Sequence, residues 1–218
     1  MSYPVLILGE SGTGKSASMR NLNADNTLLI QSVRKPLPFR NDWKTLSTEN
    51  KNGNVIVSRD YDSVKKWILN TRREIIVVDD FQYLMFGEMM DRANDTGFQK
   101  FTDMASHVWS LINDVTDDAK NKRVYFLSHT ETADDGKTRM KTVGKLLSEK
   151  LTVEGLFTIV LRTRVFNGSY QLSTQNNGND TVKSPIGLFG ATEIDNDLAS
   201  IDAEIVEYYG LAPTIKAA

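Results

Sequence analysis

The chain alternates short unbroken apolar runs with longer stretches in which apolar residues recur every three or four positions. Val5-Leu6-Ile7-Leu8, residues 27–33, Val55-Ile56-Val57, Ile75-Ile76-Val77-Val78 and Val124-Tyr125-Phe126-Leu127 have the length and character of strands buried on both faces of a parallel sheet. Pro36 and Pro38 break the second run, and the polar stretch 40–53 reads as a loop anchored by Trp43. Val64, Trp67 and Ile68 mark a helix with Asp60 or Asp62 available as its N-cap. Phe98, Phe101, Ala105, Val108, Leu111, Ile112 and Val115 share one face of a longer helix. Around residues 86–97, Met85, Met89 and Met90 stand among charged residues and read as loop packing. The last third differs. Residues 157–165 and 170–174 form two strands meeting at Asn167-Gly168, a tight-hairpin signal. Leu198, Ile201, Ile205 and Tyr208 form a helical stripe, with Asp195 near its start and Gly210 at the C-cap; residues 175–185 are the most polar segment. The alternation predicts an α/β fold, a mainly parallel sheet covered on both faces, closed by a β-hairpin and a helix.

Composition narrows this picture only a little. A length of 218 residues suits one well-cored α/β domain, and 40% apolar with 25% charged residues is ordinary for a soluble protein. No apolar run approaches the roughly 20 residues of a membrane helix. The first residues lead directly into a strand, leaving no room for a signal peptide, so a cytoplasmic protein without membrane association is expected. There is no cysteine, which excludes disulfides, thiolate metal sites and cysteine nucleophiles. The net charge of −2 argues against a broadly basic nucleic-acid binder while allowing a local basic groove.

Chemistry concentrates at the ends of the apolar runs. Gly9-Glu10-Ser11-Gly12-Thr13-Gly14-Lys15-Ser16 is a complete Gly-x-x-x-x-Gly-Lys-Ser pattern after the first strand, and Ala17 to Leu22 can continue it into a helix. Glycines let backbone N–H groups curl around phosphate oxygens, a helix start adds its positive end, Lys15 supplies charge to the β- and γ-phosphates, and Ser16 is placed to coordinate Mg²⁺. Residues Gly9 to Ala17 are therefore the expected nucleotide contacts. Ile75 to Val78 delivers Asp79 and Asp80, with Asp79 expected on the metal side and Asp80 orienting or deprotonating the attacking water. Ser128-His129 ends the next apolar run. There His129 either senses the γ-phosphate or caps the strand, Glu131 is a lesser candidate, and His107 within a helical pattern reads as structural. Residues 134–145 place Arg139, Lys141 and Lys145 in a basic loop. It suits a nucleic-acid backbone, a trans-acting charge, or a solvated face. Arg162 and Arg164 either extend that patch or face water.

With loop, acidic strand and polar strand end in this order, the chain resembles the AAA/RecA-like branch of P-loop NTPases. More narrowly, it is similar to small phage-encoded ATP-binding proteins related to Sak-type single-strand annealing ATPases. The likeness rests on the residue 9–16 pattern, on Val78-Asp79-Asp80-Phe81-Gln82-Tyr83-Leu84 and on Leu127-Ser128-His129. It extends to Lys141-Thr142-Val143-Gly144-Lys145, Lys183-Ser184-Pro185 and Ile194-Asp195-Asn196-Asp197-Leu198. The resemblance implies a three-layer domain over 1–218, with a nucleotide-binding core at 1–135 extended by 136–218. It also implies Mg²⁺-dependent ATP hydrolysis in phage DNA recombination, replication or repair. Implied partners are single-stranded DNA, further copies of the chain in a ring or filament, and phage or host replication and recombination proteins, within the host cytoplasm. The chain departs from the pattern in having Asp-Asp where AAA proteins carry Asp-Glu, and no arginine stands in an unmistakable trans-acting setting. Two other functions fit the same residues: a nucleotide switch or loader that recruits a partner without turnover, and a small-molecule kinase using 137–145 as a lid.

Overall fold

The five apolar runs become strands in the computed structural model, which describes residues 1–144 and 146–211. They are β1 (Tyr3–Gly9), β2 (Thr27–Gln31), β3 (Val55–Val57), β4 (Ile75–Asp79) and β5 (Arg123–Thr132). Four more strands follow: β6 (Thr138–Met140), β7 (Ile159–Phe166), β8 (Ser169–Ser173) and β9 (Glu193–Asp195). Strand order is β3-β2-β4-β5-β1-β7-β8-β9, with β6 pairing antiparallel to the end of β5. The pairs from β3 through β7 are parallel, and β8 and β9 are added antiparallel. Because β1 pairs with both β5 and β7, the hairpin of the last third is built into the same sheet as the first strands.

Helices α1 (Tyr61–Asn70), α2 (Gln82–Asp91), α3 (Gln99–Asp118) and α4 (Leu198–Tyr208) complete the three layers. Alternation along each strand divides two cores. Leu6, Leu8, Ile76, Val78, Val124 and Phe126 face Val64, Ile68, Leu84, Val108 and Ile112 of α1, α2 and α3. Val5, Ile7, Ile75, Val77, Tyr125 and Leu127 face Met19, Leu22 and α4's Leu198, Ile201 and Ile205. The central strands β1, β2, β4 and β5 are buried on both sides, which is why their sequences read as unbroken apolar runs.

Several local expectations are refined. Asp60, rather than Asp62, caps α1 by accepting from the Ser63 N–H. Asp197, rather than Asp195, caps α4, accepting from the Ala199 N–H. At the other end of α4, Gly210 (φ +60°) and Leu211 return hydrogen bonds to Glu207 and Val206, closing a Schellman turn. Asn167 and Gly168 both take positive φ, as a tight hairpin turn between β7 and β8 demands. The stretch after the acidic strand is a helix, α2, and not a loop: Met85 is buried in it while Met90 is exposed. Phe98 precedes α3 and faces solvent. The segment after the glycine loop is a six-residue 3₁₀ helix, Ser16–Asn21. The Ser18 hydroxyl bonds back to the Lys15 carbonyl at 2.5 Å, a local bond that competes with α-helical pairing. Among the described residues no helix is long and apolar enough to cross a membrane.

Candidate functional site

Parallel pairing sets the site. In register, Gly9 lies opposite His129 and Gln31 opposite Asp79, so the C-terminal ends of β1, β5, β2 and β4 form one rim. Open parallel sheets bind ligands outside this edge. The residue 9–16 loop leaves β1 there, with Gly12 at φ +80° and Gly14 at φ +97°, values that favour glycine. Gly9 is required for a different reason: a Cβ on it would stand 1.9 Å from Thr163 Oγ1.

Lys15 is buried, and its Nζ donates to the carbonyl oxygens of Gly9 and Glu10, each at 2.8 Å. Burial lowers its pKa to about 8, against the opposing pull of the Asp80 and Asp79 carboxylates. The Ser16 hydroxyl donates to both oxygens of Asp79, at 3.0 and 3.2 Å. Asp79 is 1% exposed, and burial together with repulsion from Asp80 raises its pKa, opposed by Lys35, Ser16 and Lys15. Asp80 sits at φ +60°, a left-handed conformation that aspartate tolerates better than most residues. That turn aims its carboxylate away from β4: Oδ2 pairs with Lys35 Nζ and Oδ1 lies 3.4 Å from His129 Nε2. Burial would raise the Asp80 pKa, but hydrogen bonds to His129 and Lys35 outweigh it and lower the value to about 2.

His129 is positioned through its neighbours. The Gln82 side-chain carbonyl accepts from the His129 N–H at 3.1 Å and from Ser128 Oγ at 3.2 Å, while the imidazole meets the Tyr83 ring edge to face. The resulting cleft holds about 490 Å³ and is lined by Gly14, Lys15, Lys35, Asp80, His129 and Tyr170 among others. The last third of the chain braces the loop from outside. Asn196 Nδ2 donates to the Gly14 carbonyl, Arg20 to the Asn196 carbonyl, and the Thr13 and Thr163 hydroxyls share a 2.6 Å hydrogen bond.

The residues from Gly9 to Ala17, Asp79, Asp80 and His129 are therefore neighbours, as expected. The basic residues are not part of this cluster. Arg139 lies on β6, paired with Asp135, and Glu131 faces it across the β5–β6 ladder. Lys141 lies over the Phe86 ring in a second pocket of about 300 Å³, with His129 at the junction of the two. Lys145 lies outside the described residues. Arg162 pairs with Asp180 and lies 3.9 Å from Glu10 on the outside of the loop without lining the cleft, and Arg164 pairs with Glu193, so neither is a free cation on an open patch. His107 bonds Glu88 on α2.

Sequence reasoning missed Lys35, Asn196, Thr163 and Tyr170 as site residues. Lys35 had a signal: it follows the C-terminal end of a central parallel strand. The others arrive from beyond residue 160 through sheet pairing that no local pattern encodes. For a metal, Ser16 and Asp79 present a hydroxyl and a carboxylate already in contact, an oxygen-only pair suited to a hard cation such as Mg²⁺ that completes its shell with phosphate and water. Among the described residues no group of three or more histidine, cysteine or acidic side chains forms a self-sufficient metal cage. No protein-family model matches the chain. No curated protein matches it either.

Proposed function

We propose that this protein is a Mg²⁺-dependent ATPase with an AAA/RecA-like phosphate-loop core. In this reading it acts on single-stranded DNA as an oligomer in phage DNA recombination, replication or repair. The observation that carries the reading is the gathering of Lys15, the Ser16–Asp79 pair and Asp80 around one cleft, at the ends of adjacent parallel strands. The loop N–H groups and Lys15 bind the phosphates. Ser16 and Asp79 would hold Mg²⁺, which neutralises charge developing on the phosphate oxygens when bound. Water oxygen bonds to the γ-phosphorus, the bond from that phosphorus to the bridging oxygen breaks, and ADP leaves with that electron pair. The proton of the water passes to the released phosphate and then to solvent. Asp80, anionic and at the cleft wall, accepts a hydrogen bond from this water and orients it.

One observation favours a second reading. Both Asp80 oxygens are engaged, Oδ2 by Lys35 and Oδ1 by His129, so the carboxylate is a poor acceptor for a water proton, which suits a nucleotide switch or loader with slow turnover. The kinase reading loses support because 138–140 form a strand hydrogen-bonded to β5, not a separate lid.

The test is direct. ATP binding by calorimetry and phosphate release are measured for the wild type and Lys15→Ala, with and without a single-stranded oligonucleotide. The variant is expected to lose about 100-fold or more in turnover while keeping its circular dichroism spectrum. Stimulation by the oligonucleotide supports the DNA assignment. Tight ATP binding without turnover selects the switch, and no ATP binding removes both. Light scattering with ATP reports the assembly.

A further inference from the structure

We infer that Lys35 is the catalytic cation that meets the terminal phosphate of the bound triphosphate, supplied by the same chain that carries the residue 9–16 loop. This rests on the ATP-binding reading and adds a residue that the loop and the acidic strand do not supply.

The backbone places Lys35 where that phosphate must end. Gln31 of β2 lies in register with Asp79 of β4, so the segment leaving β2 crosses the end of the acidic strand. Two hydrogen bonds pin the crossing: Ser32 N–H to the Asp79 carbonyl at 3.1 Å, and Gln31 Nε2 to the Lys35 carbonyl at 2.9 Å. Pro36 follows directly and keeps Lys35 out of helical conformation. The side chain, 38% exposed, reaches into the cleft, where Nζ pairs with Asp80 and lies 3.9 Å from Asp79.

Charge then selects it. Two carboxylates, Asp79 and Asp80, are balanced by two lysines, Lys15 and Lys35, and these are the only lysine or arginine side chains lining the cleft among the described residues. A triphosphate adds several negative charges, most of them on its terminal group, and stabilising charge there in a dry cleft is the main task of phosphoryl-transfer catalysis. Lys15 belongs to the loop, its Nζ held beside the Gly9 and Glu10 carbonyls, and serves the phosphates that the loop cradles, which leaves Lys35 as the second cation of the cleft. Arg139 and Lys141 of the basic loop are engaged elsewhere, on Asp135 and over the Phe86 ring. The Lys35 ammonium carries three donors and uses one on Asp80. Turning toward a phosphate oxygen keeps it charged and paired. The same turn frees Asp80 Oδ2, whose remaining partner is then His129 through Oδ1, to accept from the attacking water. Lys35 thus holds the acid in this structure, and a γ-phosphate would draw it away.

The alternative is that Lys35 merely props Asp80, and the two roles separate by nucleotide. Lys35→Ala and Lys35→Arg are compared with wild type for binding of ADP and of a β,γ-imido triphosphate, and for kcat and KM with ATP. The expected result for Lys35→Ala is a loss of about 10-fold or more in triphosphate affinity, with ADP affinity held within about twofold, and a kcat lower by about 100-fold. Lys35→Arg keeps the charge and recovers part of the triphosphate preference. Equal weakening of both nucleotides, or none, overturns the inference while leaving the ATP-binding reading intact. Wild type that binds neither nucleotide overturns both. Thermal melts of both variants accompany the binding data; where Lys35→Ala falls in Tm, Lys35→Arg decides alone. A triphosphate preference kept at least in part with kcat altered supports the inference. Triphosphate and ADP affinities both weakened equally, or both unchanged along with kcat, count against it.

Discussion

Thr163 Oγ1 accepts no substitute for the hydrogen on Gly9: a Cβ there would lie 1.9 Å from it and 2.7 Å from Thr13 Oγ1. The glycine that opens the phosphate-loop pattern is therefore a packing requirement between β1 and β7. Gly12 and Gly14, by contrast, are set by positive φ. Gly9→Ala must push Thr163 and Thr13 apart, breaking their 2.6 Å hydrogen bond and shifting the loop that Thr13 ties down. Overpacking of this kind costs about 1–3 kcal/mol. The expected outcome is a lower urea midpoint together with weaker ATP binding. Adding Thr163→Ala removes the nearest atom and should recover part of both, a coupling that a double-variant cycle reads directly. Additive losses would place the cause elsewhere than in this contact.

Elements were legible in the sequence to the degree that one face of each was buried by a single neighbour or two like neighbours. The central strands announce themselves because both faces are covered, and α1 because Val64 and Ile68 recur on a cap that Asp60 closes. Helix α2 was hidden: Gln82, Leu84, Met85 and Gly87 are buried on several sides, so no apolar stripe stands out, and a glycine interrupts it. Strand β6, three residues long, is held by its ladder to β5 and by the Glu154 carboxylate accepting from the Met140 N–H, contacts made only in the fold. The site divides likewise. Its loop and acids could be read locally, whereas Lys35 and Asn196 enter through register and through contacts spanning most of the chain. The start of α1, for which the sequence offers Asp60 or Asp62, can be tested at the same scale. Asp60 accepts from Ser63 N–H at 2.7 Å, so Asp60→Ala should destabilise the protein by about 1 kcal/mol, lowering Tm by roughly 2–4 °C. Asp60→Asn should recover most of it, and an Asp62→Ala control should change little.

Across the whole molecule, the bond between the central sheet and the last helix is polar. Arg123, 2% exposed at the start of β5, donates through two nitrogens to both carboxylate oxygens of Asp202 on α4, each at 2.9 Å, and through a third to Glu74 at 3.2 Å. The buried Tyr125 hydroxyl donates to the same Asp202 at 2.7 Å. This network fastens α4 beneath the middle of the sheet, and α4 begins at Asp197, next to the Asn196 that holds the Gly14 carbonyl. Loop geometry and the anchoring of the last helix are thus joined through one short segment. Removing Arg123 alone leaves a buried carboxylate without its counter-ion, for which about 3–5 kcal/mol is expected. Arg123→Met should therefore lower the denaturant midpoint sharply. Replacing its buried members, as Arg123→Met with Tyr125→Phe and Asp202→Leu, removes the stranded buried charge, leaves only the part-exposed Glu74, and should restore much of the stability. If the ion pair serves only to hold α4, the triple variant binds ATP like wild type. If its orientation also sets Asn196 against the loop, stability returns while ATP affinity stays low, and that split measures how far the C-terminal helix governs the cleft.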